Sequence, residues 1–342
     1  MRIYHDREDS VGQLNELFHL WLRLEVVLCY TAAQIARWRC ILENPSLSKW
    51  QVWWLAIRPK TLPAAAAGVI MGGALAWLDG AFRLDVFLFC FLAALLLQIG
   101  SNLANDVFDF ERGADTAERL GPTRVTQAGL LTPAQVKAGM WLVFALAALL
   151  GGYLIFRGGW PILVVGVAAI LAAIAYTGGP FPLGYYGLGD LFVFLFFGLA
   201  AVAGTYYVQT GWVSPAAWWL AVAVGLLVTA ILVVNNLRDL EHDRKAGKHT
   251  LAVYLGEAGT RAEYTFCVLL AYLILPWLAW QGLIPWGGLG AWLSLPLAAK
   301  TMQTVLRQRG RPLNAALAGT GQTALWFSLL FWLGVILQQI FK

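Results

Sequence analysis

Nine long apolar stretches, separated by polar turns, limit what this chain can fold into more than any other feature. They cover residues 61–79, 84–105, 136–156, 160–176, 190–210, 216–236, 262–281, 284–300 and 320–340. A helix needs about 20 mostly apolar residues to cross the hydrocarbon core of a bilayer. The runs are continuous, whereas barrel strands alternate apolar and polar residues over roughly 10-residue segments. The chain therefore reads as an all-α, polytopic membrane protein of about nine transmembrane helices. Composition agrees: 13% of the 342 residues are charged and mean hydropathy is +0.66, against about 25% charged in soluble domains. So little charge could not cover a globule of this size, which excludes a soluble enzyme. A disordered chain and a disulfide-stapled module are excluded with it.

Nine spans place the intervening segments alternately on two faces. One face then collects 21 of the 24 Lys and Arg residues, and the other only Arg83, Arg157 and Lys342. Cytoplasmic loops carry the excess of Lys and Arg. The N-terminus is thus expected in the cytoplasm and the C-terminus outside, with the protein in the cell (inner) membrane and in contact with lipid. The net charge of +5 becomes a topology signal, and nucleic acid is not an expected partner. Cys29, Cys40, Cys90 and Cys267 show no paired spacing and read as small apolar residues.

Residues 1–50 read as an extension ahead of a transmembrane domain spanning 51–342. Within the extension, Leu14, Leu17, Trp21, Leu24 and Leu28 recur at helical spacing. That is the pattern of an amphipathic helix lying at the membrane interface. Asp6, Glu8 and Asp9 set the start apart from a signal peptide's basic region.

Two acidic loops repeat one plan. After the second span, Asn102, Asp106 and Asp109 fall at offsets 0, +4 and +7; after the sixth, Asn236, Asp239 and Asp243 fall at 0, +3 and +7. Each set lies on one face of a helix that continues a span to its cytoplasmic end. Clustered carboxylates repel one another unless a cation sits among them. Mg²⁺ suits the oxygen donors and commonly completes its shell with phosphate oxygens. Two such clusters face to face would hold Mg²⁺ against a diphosphate. Arg58, Lys60, Arg119, Arg124, Arg238 and Lys248 lie near the same face and would neutralise the remaining charge. Diphosphate held this way becomes a good leaving group. Glu111, Glu118, Glu241, Glu257 and Glu263 read as solvated loop charge, and His242 and His249 receive no role.

The motifs resemble those of the UbiA superfamily of intramembrane prenyltransferases. Arg58-Pro59-Lys60-Thr61-Leu62-Pro63 opens the first span as in the branch that prenylates 1,4-dihydroxy-2-naphthoate on the menaquinone route. Asn105-Asp106-x-x-Asp109-x-x-x-Gly113-x-Asp115, with Glu118-Arg119-x-Gly121-Pro122-x-Arg124, is similar to its first motif. Asn236-x-Arg238-Asp239-x-x-x-Asp243-x-x-x-Gly247-Lys248-x-Thr250 is similar to its second. The resemblance covers about residues 53–340.

It implies nine helices around a central cavity, and Mg²⁺ bridging both motifs to an allylic diphosphate. Asn102, Asp106, Asp109, Asp239 and Asp243 would form the metal set. Asn105, Asp115 and Asn236 would contribute to diphosphate binding. Arg119, Arg124, Lys60 and Lys248 would hold diphosphate or a substrate carboxylate. Some superfamily members place the first motif's second acid four residues after the first; here position 110 is Phe and the acid is Asp109.

The expected reaction moves a polyprenyl group from its diphosphate to dihydroxynaphthoate, with loss of CO₂. Tyr176 and Tyr185 are candidates to face the allylic cation, because aromatic faces attract positive charge. Asp190 reads as a helix cap or a proton acceptor. Alternatives are another aromatic acceptor, phytyl transfer, a phosphatidyl-alcohol transferase or an ion-coupled transporter. Transporters place ionisable groups near the bilayer midplane, whereas these acids cluster at one face. The transferase alternative concentrates its acids in one helix pair, whereas this chain splits them between 102–115 and 236–243.

Overall fold

The computed structural model describes residues 47–114 and 120–341, and among them there are helices and no strands. Asp115, Glu118 and Arg119, and the amphipathic pattern at 14–28, lie outside the described residues. The chain divides after Gln51, and Val52–Lys342 forms one compact unit. In chain order the helices are α1 (Lys49–Ile57), α2 (Leu62–Leu78), α3 (Leu84–Glu111), α4 (Pro133–Gly158), α5 (Trp160–Ala175), α6 (Gly189–Thr210), α7 (Pro215–Lys245), α8 (Leu251–Trp280), α9 (Leu295–Arg307) and α10 (Leu313–Ile340).

Seven helical segments among the described residues are long and apolar enough to cross a membrane, and α5 is a shorter apolar helix. The block at 284–300 differs from expectation. It folds as a 3₁₀ segment, Trp286–Ser294, followed by α9. In α9 only Ala298, Thr301 and Val305 are buried, while Lys300 and Arg307 are exposed. That is an amphipathic helix with one apolar face, and Lys300 falls inside it.

Burial separates central helices from lipid-facing ones. The most apolar window of α2 or α7 is 72% buried, against 28% for α3 and 22% for α4. Small residues let α2 sit at the centre. A Cβ added at Gly68 would lie 2.7 Å from the Phe197 carbonyl oxygen, and one at Gly72 would lie 2.5 Å from that of Val202. Gly68-x-x-x-Gly72 thus admits α6 at backbone distance, the use small residues find in membrane helix pairs.

Between Phe194 and Ala203, α6 is a π-helix. In an α-helix, residues four apart drift by about 40° per step. The wider π turn offsets that drift, so Phe192, Phe196, Ala200, Gly204 and Val208 all line one cavity.

Candidate active site

The cavity has a volume of about 530 Å³ and is walled by residues of α2 to α7. Its apolar stretch runs past Cys90, Leu154, Ile162 and Val208; its polar end carries Arg58, Asn102, Asn105, Asp109, Arg124, Asn235, Asn236, Asp239, Asp243 and Lys248. From Asn102 to Cys90 along α3 is about 18 Å at the α-helical rise, more than half a bilayer core. Both acidic motifs therefore meet at one end of a long apolar slot.

Each motif is helical, as its spacing predicts, and the structure buries it. Asn102, Asp106 and Asp109 lie on α3 at 4%, 1% and 2% exposure; Asn236, Asp239 and Asp243 lie on α7 at 7%, 8% and 6%. Their surroundings separate them. Asp109 accepts from Arg124 Nη2 at 2.6 Å and from the Tyr185 hydroxyl at 2.6 Å, with Lys248 Nζ at 3.6 Å. Asp239 is gripped by Arg238. Asp243 has Lys248 Nζ at 4.0 Å. Asp106 is absent from the cavity wall. Its oxygens accept from the Val125 and Thr126 amides at 3.1 and 3.0 Å, and from Arg58 at 3.4 Å. This carboxylate anchors the returning loop after the first motif, which in turn presents Arg124.

Local chain geometry explains Lys248. Gly247 adopts φ 70° just past α7, a left-handed conformation that glycine takes without penalty. The Lys248 amide then donates to the Asp243 carbonyl at 2.9 Å and the Ala246 amide to that of His242 at 2.9 Å, closing the helix end. Lys248 is turned back over the acids, 4.5 Å from the centre of the Tyr185 ring. Tyr185 sits on a 3₁₀ turn, Leu183–Tyr185, and its carbonyl accepts from the His249 amide at 2.8 Å. One tyrosine therefore touches the first motif through its hydroxyl and the second through its backbone. Burial, then the Asp109 charge, pushes its phenol well above the usual tyrosine range. The Tyr185 hydroxyl stays protonated.

Other expected residues fall elsewhere. Lys60 is exposed and off the cavity wall. The Arg238 side chain is fully buried behind the wall, bonded to Asp239 and, at 2.7 and 2.9 Å, to Asn314 and Asn235. It positions Asp239 and does not face the cavity. Asp190 is no cap: the helix starts at Gly189 with Leu188 at the capping position, and both Asp190 carboxylate oxygens are buried without a hydrogen-bond partner. Arg58 adopts φ 54° and ψ 68°, the one non-glycine residue at positive φ among those described. A left-handed conformation costs an L-residue roughly 1–2 kcal/mol.

Sequence reasoning missed Gln98 and Thr177. Gln98 lines the cavity one turn before Asn102, and Thr177 donates to Asn105 Oδ1 at 3.0 Å. A lone Gln inside an apolar span was the available signal.

The donor set tests the metal expectation. Among the described residues, no three His, Cys, Asp or Glu converge closely enough to hold a metal alone. Asp109, Asp239 and Asp243 nevertheless line one pocket. That fits an ion which takes one or two carboxylates and draws its other ligands from substrate phosphate and water.

The sequence matches the UbiA prenyltransferase family over residues 65–329. It is 41% identical over 311 residues to a 1,4-dihydroxy-2-naphthoate octaprenyltransferase of Escherichia coli (strain K12), spanning 87% of this chain and 99% of that protein. It is 40% identical over 282 residues to the protein of that name in Mycobacterium tuberculosis (strain ATCC 25618 / H37Rv), spanning 81% and 94%. The solved structure of a UbiA homolog from Archaeoglobus fulgidus bound to GPP and Mg²⁺ shares the fold, with a TM-score of 0.62 at 15% identity, covering 83% of this chain and 99% of that one.

Proposed function

Because the chain belongs to the UbiA prenyltransferase family, we propose that it transfers a polyprenyl group from an allylic diphosphate to 1,4-dihydroxy-2-naphthoate, releasing diphosphate and CO₂. One observation carries this reading. Acids from two helices more than 120 residues apart in sequence, joined by Lys248, cap one end of an apolar cavity. An isoprenoid diphosphate has the same division, with a charged head and a long apolar tail.

In this reading Asp109, Asp239, Asp243 and Asn236 take Mg²⁺ with the diphosphate, and bound Mg²⁺ supplies charge neutralisation to the leaving group. Lys248 and Arg124 supply further positive charge there. Tyr176 and Phe192 line the approach to the acids and offer aromatic faces to the allylic cation. The apolar wall keeps water from capturing that cation. Asn105 and Arg58 sit at the same end and complete the substrate-binding set. The motif-bearing end faces the cytoplasm of the cell (inner) membrane, and the C-terminus lies outside, by the distribution of Lys and Arg.

The test offers purified protein dihydroxynaphthoate with farnesyl or geranylgeranyl diphosphate. A prenylated, decarboxylated product should form with Mg²⁺ and vanish with EDTA or with Asp239→Asn. Absence of any Mg²⁺-dependent product across several donors would refute the reading.

A further inference from the structure

The hydrogen bonds within the protein leave one acceptor on the cavity wall unused. The Thr61 hydroxyl donates to the Arg58 carbonyl at 2.9 Å, which uses its only hydrogen. Toward any other partner Thr61 Oγ1 can therefore only accept. Gln98 Nε2 donates to Thr61 Oγ1 at 3.1 Å and to Asn102 Oδ1 at 3.3 Å. Neither oxygen has a hydrogen to give in return, so flipping the Gln98 amide would set oxygen against oxygen. Its orientation is fixed, and Gln98 Oε1 faces away from both. That oxygen is buried and has no hydrogen-bond partner among the described residues. Gln98 lines the cavity beside Leu97 and Ala94. It lies about 6 Å from Asn102 along α3, one helical turn toward the apolar stretch. A buried acceptor without a donor costs folding free energy, and few are left so in a folded chain.

We infer that Gln98 Oε1 accepts a hydrogen bond from a ring hydroxyl of the aromatic substrate, and that Gln98 thereby selects acceptors of the hydroquinone type. The ligand comes from the reaction proposed above, on which this inference rests, and donor chemistry chooses the group. The diphosphate and the carboxylate are ionised at neutral pH and offer acceptor oxygens only. The polyprenyl tail offers no polar hydrogen. The two hydroxyls of dihydroxynaphthoate are the donors that remain. One stands next to the carboxylate and donates to it internally. The other, across the ring, keeps its hydrogen free, and it is this hydroxyl that Gln98 receives. A site built to bond a hydroxyl rejects the analogue lacking it, because the buried polar group is then left unpaired.

Binding to the purified full-length protein tests this apart from turnover. Quenching of its tryptophan fluorescence is followed with 1,4-dihydroxy-2-naphthoate and with 1-hydroxy-2-naphthoate. The second acid keeps the carboxylate and its internal hydrogen bond and lacks only the free hydroxyl. The parent should bind the dihydroxy acid about tenfold more tightly, the scale of one hydroxyl meeting an otherwise unpaired acceptor. Gln98→Met keeps the length of the side chain and removes the amide, and it should bind the two acids alike. A merely structural role for Gln98 would weaken both acids equally and leave the tenfold ratio in place, which would overturn the inference. Equal binding of the two acids by the parent would overturn it without any variant, because a water then satisfies the oxygen. If neither acid binds, dihydroxynaphthoate is not the acceptor, and the assignment of Gln98 falls with it. If the parent shows the tenfold ratio and no donor yields product, the proposed reaction fails while Gln98 keeps its hydroxyl.

Discussion

Replacing Lys248 by Met should make the protein depend on Mg²⁺ for stability more than it does with Lys248 present. The lysine nitrogen lies 3.6 Å from Asp109 and 4.0 Å from Asp243, with the three side chains 15%, 3% and 9% exposed. At an effective dielectric of about 20, each contact has a gross Coulomb energy of roughly 4–5 kcal/mol. Desolvation of the buried groups cancels much of this, and removing one partner of a buried ion pair costs about 3–5 kcal/mol net. Arg124 continues to neutralise Asp109, so the expected cost lies near the lower end, about 3 kcal/mol. At about 2 °C per kcal/mol for a chain of this size, Lys248→Met should melt about 6 °C lower in EDTA.

Magnesium ion can replace the lost charge. The variant's gain in melting temperature between EDTA and saturating Mg²⁺ should therefore exceed the parent's by several degrees. Its KM for the prenyl diphosphate should rise about tenfold or more, because the leaving group loses a cation. The assay is thermal unfolding in detergent across a Mg²⁺ titration, paired with initial rates over donor concentration. Equal Mg²⁺ responses in both proteins, together with an unchanged donor KM, would refute the reasoning.

Two further outcomes follow from particular contacts. Tyr185→Phe removes the 2.6 Å bond to Asp109 and should lower kcat/KM about tenfold. Because burial and Asp109 raise the phenol, its contribution is present at all pH values below the unfolded tyrosine value of about 10 and is lost only above it. The ratio of parent to variant rates should thus stay flat from pH 6 to 9, and a slope in that interval would refute the assignment. Gly68→Leu drives a side chain into the Phe197 carbonyl and Ala201 and should cost at least about 1–3 kcal/mol, read as a lower melting temperature; an unchanged one would refute the close helix approach.

The sequence by itself determined the all-helical class, the residues able to reach the bilayer and the two helical faces that carry Asn and Asp. Those are local properties, set by hydrophobic run length and by the 3.6-residue period. It also determined that charge would concentrate at helix ends, since a charge inside a span is expensive. Three things needed the tertiary structure. Roles within a motif depend on what surrounds each acid: Asp106 and Asp109 lie three residues apart, yet one anchors a loop and the other lines the cavity. Pairings such as Lys248 with Asp109 and Tyr185 with both motifs join residues 60 to 140 positions apart, and nothing periodic encodes them. The left-handed turn at Arg58 needed it too, because nothing in the local sequence marks a positive φ at a residue other than glycine. Burial and long-range hydrogen bonds choose among chemically equal residues, and both exist only once the helices have packed.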